Sequence, residues 1–366
     1  MCIPYNFIWA FKKYVNINYL YFGGALKNIG KYLHEIKTVL PDFDKVPLSE
    51  KSYIGMKQCS DAYQSRKNFL REYVLECEDC VIEPKFGWAI ISKSNKLVFD
   101  SIPYNSWIES YHPSAINYLF NIKNAKSYDK VVSIRMIRGG ANNYWHFFHD
   151  LIGQVYLAKK FNLDHLPFLI SLDLYKQPYF KQALDLSPYL KKINWVVQSD
   201  FVKVRMAYFI QVKINGVEQF NFIRNIFPNL VESKQVYKYV YLKRGHIRSR
   251  HIKNSNEIEE IARKNKFAVI DTDNMSLYNQ ILLFSQANII ISPHGAGLTN
   301  VMFSNYEKLS VLEIFPSDYI MPHYYWLSMQ LNIKYKALVA GHLESDSSFR
   351  VDPILFEEKI NEMIRV

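Results

Sequence analysis

The sequence predicts an α/β protein of two facing, doubly wound domains with a cleft between them. Its 366 residues exceed what one hydrophobic core usually fills. Between residues 239 and 331, short β-branched or aromatic runs alternate with helix-patterned runs, the signature of a parallel sheet. The apolar run Ile289-Ile290-Ile291-Ser292 passes straight into the turn His294-Gly295-Ala296-Gly297. Sheets of this kind hold ligands at such strand ends.

Residues 1–75 read as a variable helical lead-in, with a helical stretch at 25–39 before Pro41-Asp42 and Pro47. From Cys80 the pattern changes to short β-rich runs at 81–83, 87–91 and 96–99, separated by Pro, Gly, Ser and Asn as in hairpins. A strand at 130–134 follows, Gly139-Gly140 breaks the chain, and 146–160 reads as an amphipathic helix. Strands at 168–171 and 194–197 flank a helix at 179–186, and a long strand at 202–212 ends at Asn215-Gly216. These elements place a first α/β domain over 76–220. A second, Rossmann-like domain over 221–345 has strands at 239–242, 267–270, 288–292 and 310–315, with helices at 255–265, 276–286, 298–303 and 322–331. Residues 346–366 form a closing helix.

Hydrophobic residues at 49% and charged residues at 22% exclude the disordered and fibrous classes. Lys and Arg outnumber Asp and Glu by 45 to 34, and the resulting +11 field attracts anions. No zinc-finger spacing, RNP-like aromatic motif or concentrated basic arm accompanies that charge, so nucleic acid is not the expected partner. Phosphorylated ligands and an anionic membrane surface remain. Cys2, Cys59, Cys77 and Cys80 are too few and too irregular for a disulfide framework, which points to a reducing compartment. Cys77 and Cys80 have metal-knuckle spacing but no second pair, so no metal is assigned to them.

The apolar stretch from Ile8 to Phe11 is interrupted by Lys12 and Lys13, and the next contains Gly23-Gly24. Both fall short of the roughly 18 to 20 apolar residues a membrane span needs. With no cleavage site behind an apolar core, the expected location is cytoplasmic, with peripheral contact at the inner face of the cell membrane.

Three segments carry candidate chemistry. His294-Gly295-Ala296-Gly297-Leu298-Thr299-Asn300 joins a buried strand to a helix start, where glycines permit close approach and free amides favour a phosphate. An ordinary strand-to-helix turn would use the same glycines. The second segment follows the strand at 239–242 and carries Arg244, Arg248 and Arg250. Planar guanidinium forks suit phosphate oxygens and a departing diphosphate, although a charge run is commonly only a solvated face. The third is Asn143-Tyr144-Trp145-His146, continuing to His149 and Asp150. At helical offsets of three and four, His146 can share a face with either partner, so a histidine steadied by a carboxylate becomes a candidate general base. Packing among Phe and Trp, or a metal pair, are the competing explanations.

Two acidic features are weaker. Asp271-Thr272-Asp273 has the spacing of a metal-holding carboxylate pair, but capping of the next helix by Asp273 or Ser276 explains it more cheaply, just as Asn254 or Ser255 would cap the helix before it. Glu313 ends a strand where acidic residues of dinucleotide folds meet ribose hydroxyls.

Taken in order, these segments resemble glycosyltransferase family 61, together with Arg250, Asn254, Glu257, Asn279-Gln280-Ile281, Ala287, Phe303 and Glu313 followed by Pro316. The resemblance runs from about residue 80 to 340; Phe147 and His251 depart from the Trp and Arg frequent at their places. It implies a GT-B-like architecture of two facing Rossmann-like domains, with 76–220 on the acceptor side and 221–345 binding the nucleotide sugar. It also implies an inverting, metal-independent hexosyl- or pentosyltransferase that uses no cofactor. The donor would be UDP-linked and the acceptor a glycan or lipid-linked glycan of bacterial capsular or surface polysaccharide. His146, His149 and Asp150 then become the catalytic candidates. Arg244, Arg248, Arg250, Glu313 and residues His294 to Asn300 become the donor site. The rivals are a non-catalytic nucleotide- or sugar-binding partner of a polysaccharide assembly complex, and a metal hydrolase built on His146, His149 and Asp150.

Overall fold

A computed structural model describes residues 71–85, 87–93, 96–98, 101, 122–136, 142–212, 216–227, 237–244, 249–321 and 323–365, together with strand 32–37; residues 32–37, 71–72 and 96–97 are described by their backbone alone. Two compact units result. The first is built on Phe69–Leu184 and Pro188–Ile214, the second on Asp185–Ser187 and Asn215–Val366.

The first unit carries one mixed sheet. Its strands are β1 (Tyr32–Lys37), β2 (Arg71–Glu83), β3 (Trp88–Ile91), β4 (Lys96–Leu97), β5 (Ser127–Ser133), β6 (Phe168–Ser171), β7 (Trp195–Gln198) and β8 (Val202–Gln211). The order is β4-β3-β2-β8-β5-β6-β7, with β1 also paired to β2. Pairings from β1 to β4, and of β2 with β8, are antiparallel, whereas β8, β5, β6 and β7 run parallel.

Two expectations change here. The stretch read as helix at 25–39 contains strand β1, because its backbone pairs with β2 from Tyr32 opposite Leu75 to Lys37 opposite Arg71. Such pairing overrides a helix propensity of a few tenths of a kcal/mol per residue. The Rossmann-like description also fits only the parallel half, since the hairpins read at 81–99 build the other half of the same sheet. Gly87 makes the β2–β3 turn with φ of 78°, and a Cβ there would lie 2.7 Å from the Ile134 carbonyl oxygen.

Leu75, Cys77, Cys80, Ile82, Val131, Leu169, Val204 and Phe209 form the core of this sheet. Cys77 and Cys80 are therefore buried, unbridged packing residues. The helix expected at 146–160 is Tyr144–His146, a π-helical turn Phe147–Ile152 and Gly153–Lys160 in succession. It is not amphipathic over most of its length, because every residue from Phe147 to Val155 is buried.

The second unit is a five-stranded, wholly parallel sheet of β9 (Tyr239–Leu242), β11 (Ala268–Ile270), β12 (Ile289–Pro293), β13 (Ser310–Phe315) and β14 (Lys334–Val339). Its order is β11-β9-β12-β13-β14. In sequence terms this is the doubly wound order second-first-third-fourth-fifth, which reverses between β9 and β12. Helices Ser255–Lys264 and Pro353–Ile364 pack together, while Val217–Ile226, Leu277–Gln286 and His323–Gln330 each meet the segment Ala296–Phe303. The core joins Tyr241, Ile258, Ile291, Leu312, Ile314, Phe356 and Ile360. A parallel pair, β10 (His251–Ile252) with β15 (Ser348–Phe349), ties the segment after β9 to the C-terminal part.

Three features here depart from expectation or lie beyond it. Residues Ala296–Phe303 wind as a 3-10 helix rather than an α-helix. β-Branched Thr299 and Val301 weaken α-helical preference, and Ser304 closes the segment by donating both its amide and its hydroxyl to the Val301 carbonyl. Helix Val217–Ile226 occupies a stretch that reads as an inter-domain boundary. Strand β14, edging the sheet, is not singled out by the sequence pattern.

Candidate functional site

Arg244 lies two residues beyond β9 and His294 directly beyond β12, so both stand where the strand order reverses and ligands of such sheets bind. Arg244 donates from Nε to the Ser249 carbonyl at 2.7 Å and from Nη1 to the His294 carbonyl at 3.2 Å. A Cβ on Gly295 would collide with that Nη1, so the space glycine opens is occupied by the guanidinium of Arg244. The sequence expectation assigned that space to a ligand. At Gly297 a Cβ would make only ordinary contact with Thr272 Oγ1 at 3.5 Å.

The rest of the loop is built from beneath. Within His294 to Asn300 only Ala296 and Gly297 keep appreciable exposure. Thr299 Oγ1 lies 3.3 Å from the Tyr324 hydroxyl, and Asn300 Nδ2 donates to Gln280 Oε1 at 2.8 Å. Leu298 is fully buried and its amide is spent on the Gly295 carbonyl. Leu298, Thr299 and Asn300 thus hold the loop in place, and Ala296 and Gly297, at the start of the 3-10 winding, are its partly exposed residues.

His294 is buried against aromatic rings, stacked on Phe315 at 5.2 Å with Tyr319 and Tyr324 tilted beside it. Its Nδ1 lies 2.5 Å from Glu313 Oε1, while Glu313 Oε2 accepts from the Tyr335 hydroxyl at 2.6 Å. Burial, with the charges of Arg250 and Arg244, pushes the imidazole down to about 3. Burial pushes the Glu313 carboxyl well above its usual range, against a smaller opposing pull from Tyr335 and Arg250. Both directions favour an uncharged pair.

Glu313 is therefore not available to ribose hydroxyls as expected. It has no exposed surface, and both its oxygens are engaged. The reason is topological, since β13 runs between β12 and β14, with Glu313 opposite Ser292 on one side and Ala337 on the other.

Arg250 takes a left-handed backbone conformation, φ 63°, held by its amide donating to the Ser347 carbonyl at 2.7 Å. Its guanidinium carbon sits 4.6 Å over the Tyr319 ring, and its buried Nε has no hydrogen-bond partner among the described residues. Arg248 lies outside the described residues. Asp271 Oδ1 accepts from the Asp273 amide at 2.9 Å, closing a turn, and Ser276 caps the following helix. Asn254 holds the N-cap position as expected, but its side chain makes no capping bond and grips the Val351 backbone instead, donating at 2.9 Å and accepting at 3.1 Å.

In the first unit, the π-helical turn brings both histidines onto one carboxylate. His146 Nδ1 lies 2.8 Å from Asp150 Oδ2, and His149 Nδ1 lies 2.7 Å from Asp150 Oδ1. Burial alone would push the Asp150 carboxyl up, but the adjoining imidazoles hold it well below the usual carboxylate range. The His149 side chain is 3% exposed and stacked on Trp145, whereas that of His146 is 16% exposed. Asn143 caps the helix start by accepting from the Trp145 amide at 2.9 Å. Gln154 pins the turn to the strand end, donating to the Asp150 and Arg135 carbonyls and accepting from the Arg135 amide. Gly139, Gly140 and Ala141 lie outside the described residues.

Tyr335, Tyr319 and Gln154 escape sequence reading. Tyr335 could have been found only by aligning β14 against β13: it lies opposite Val311, two residues from Glu313 on the same face. Among the described residues, no group of three or more His, Cys, Asp or Glu is placed to hold a metal ion, and no helix is long and apolar enough to cross a membrane.

A parallel sheet with arginines and a buried histidine at its reversal point fits an α/β glycosyltransferase fold. Residues 144–311 match the family model described as Glycosyltransferase 61, and the match supports assigning the chain to that family. The matched span includes the His146–Asp150 turn and the His294 loop and ends two residues before Glu313. No curated protein matches the chain.

Proposed function

We propose that this glycosyltransferase moves a sugar from a UDP-linked or related nucleotide-sugar donor to a glycan hydroxyl, with inversion at the anomeric carbon. The observation that carries this reading is the placement of Arg244 and Arg250 about His294 at the sheet reversal point. Two guanidinium groups supply countercharge for a departing diphosphate, and the neutral ring of His294 and the Ala296 and Gly297 amides add hydrogen-bond donors, so the scheme uses no metal. His146 is the general base: it is the more exposed histidine, and Asp150 steadies the imidazolium that forms. The acceptor oxygen gives up its proton and bonds to the anomeric carbon as the bond to the diphosphate oxygen breaks.

The setting we propose is synthesis of bacterial capsular or surface polysaccharide at the cytoplasmic face of the membrane. The acceptor would be a lipid-linked glycan, and the net charge of +11 would favour the anionic surface. A panel of nucleotide sugars, followed by mass spectrometry with and without glycan acceptors, tests the reaction. One donor should break down slowly alone and faster with acceptor. Binding without breakdown of any donor would instead identify a non-catalytic binding partner.

A further inference from the structure

We infer that Tyr335 is a positioning residue that, through a protonated Glu313, holds His294 as the neutral Nε2–H tautomer and so makes it a hydrogen-bond donor rather than a base. This deepens the donor-site reading above and rests on it for the ligand, a diphosphate, but not for the tautomer.

Glu313 has no exposed surface and touches two hydrogen-bonding groups, neither a permanent cation: the Tyr335 hydroxyl and His294 Nδ1. A buried carboxylate hydrogen-bonded only by these is costly in such surroundings, and the charge of Arg250 offsets that cost only in part. The neutral acid satisfies every atom. Its carbonyl oxygen, Oε2, accepts from Tyr335 at 2.6 Å, and its hydroxyl on Oε1 donates to His294 Nδ1 at 2.5 Å. With the Tyr335 hydroxyl donating to Oε2, that oxygen is the carbonyl and the carboxyl proton lies on Oε1. With Nδ1 accepting, the single ring proton of neutral His294 must sit on Nε2. The low imidazole value and high carboxyl value agree with this arrangement. A neutral ring with its proton on Nε2 can donate from that atom to a phosphate oxygen.

The test is ring 15N NMR of histidine-labelled full-length chain without ligand, with His294 assigned by loss of its signals in His294→Gln. Nδ1 should resonate as an unprotonated acceptor and Nε2 as a protonated nitrogen between about pH 6 and 8. An Nδ1-protonated ring overturns the inference. Glu313→Gln supplies a second arm, because Tyr335 donating to the amide oxygen turns the NH2 group toward His294. The tautomer should persist, whereas a shift of the proton to Nδ1 overturns the inference. Tyr335→Phe should give a mixture of tautomers and a fall in kcat of about tenfold; an unchanged His294 spectrum in the folded variant removes Tyr335 from the relay. None of the spectra depends on turnover, so a chain that breaks down no nucleotide sugar would sink the proposed reaction while leaving the tautomer result standing.

Discussion

The Nη1 of Arg244 donates to the carbonyl of His294 at 3.2 Å, on the side where the next residue, Gly295, lacks a Cβ. The arginine from one strand end is thereby seated against the loop of its neighbour, and the glycine is the condition for that seat. Gly295→Ala should push the flexible guanidinium aside at small cost in Tm and raise the donor KM at least about tenfold, much as Arg244→Ala does. Steady-state kinetics beside a thermal melt checks this. An unchanged KM would show that the seat is irrelevant to the donor.

Arg250 differs from Arg244 in being fixed by its left-handed backbone and by Tyr319 beneath its guanidinium. Arg250→Ala should lower kcat on the order of a hundredfold, and Arg250→Lys should restore little, since an ammonium lacks the planar fork. Full rescue by lysine would mean that only the charge matters.

Asp150 joins two imidazoles and is depressed below its ordinary value of 3.8. A carboxylate with a depressed folded value contributes stability that is present above the unfolded value and lost as pH falls through the folded one. Asp150→Asn should therefore destabilise the fold at neutral pH, with the gap to the unaltered chain closing only in strong acid. His146→Ala should cost roughly a hundredfold or more in turnover with little loss of Tm, while His149→Asn should chiefly lower Tm, because His149 is buried against Trp145. The reverse pattern, activity following His149, would move the base.

The protonated Glu313 makes a distinct prediction for stability. A folded value raised above the ordinary 4.5 contributes stability fully present below 4.5 and lost as pH rises toward the folded value. Relative to Glu313→Gln, which cannot titrate, the unaltered chain should lose ground as pH rises above 4.5, by no more than about 1.4 kcal/mol per pH unit. Arg244, Arg250, Tyr319, Tyr324 and Tyr335 face the pair and are common to both chains, so they largely cancel. His294 adds the opposite limb in both, losing its contribution as pH falls from 6.5 toward about 3. Denaturant midpoints across the range decide; an unaltered chain that instead gains on Glu313→Gln as pH rises would place a carboxylate at 313.

Much of the second unit is legible in the sequence. Alternating apolar runs and helix patterns suffice for parallel strands β9, β12 and β13, because strands buried on both faces are apolar throughout, and for the half-buried edge strand β11, which still reads as an apolar run. The first unit is less legible: whether a strand pairs parallel or antiparallel depends on its neighbour, so the 81–99 hairpins and the parallel strands after residue 127 gave no sign of sharing one sheet. The π-helical turn is likewise invisible, since the composition of 147–152 suits an α-helix equally well.

For the site the division is similar. Residue types and local spacing by themselves determined that arginines, a histidine and two glycines stand at strand ends, and that His146, His149 and Asp150 fall within one helical turn and a half. Only tertiary structure decided that Arg244 fills the space beside Gly295, that Asp150 serves both histidines, and that Glu313 faces Tyr335 and His294 instead of solvent. The physical reason is that periodicity reports which face of an element an atom occupies. Hydrogen-bond partners and burial are properties of the neighbouring strand, and sequence spacing carries no record of which strand that is.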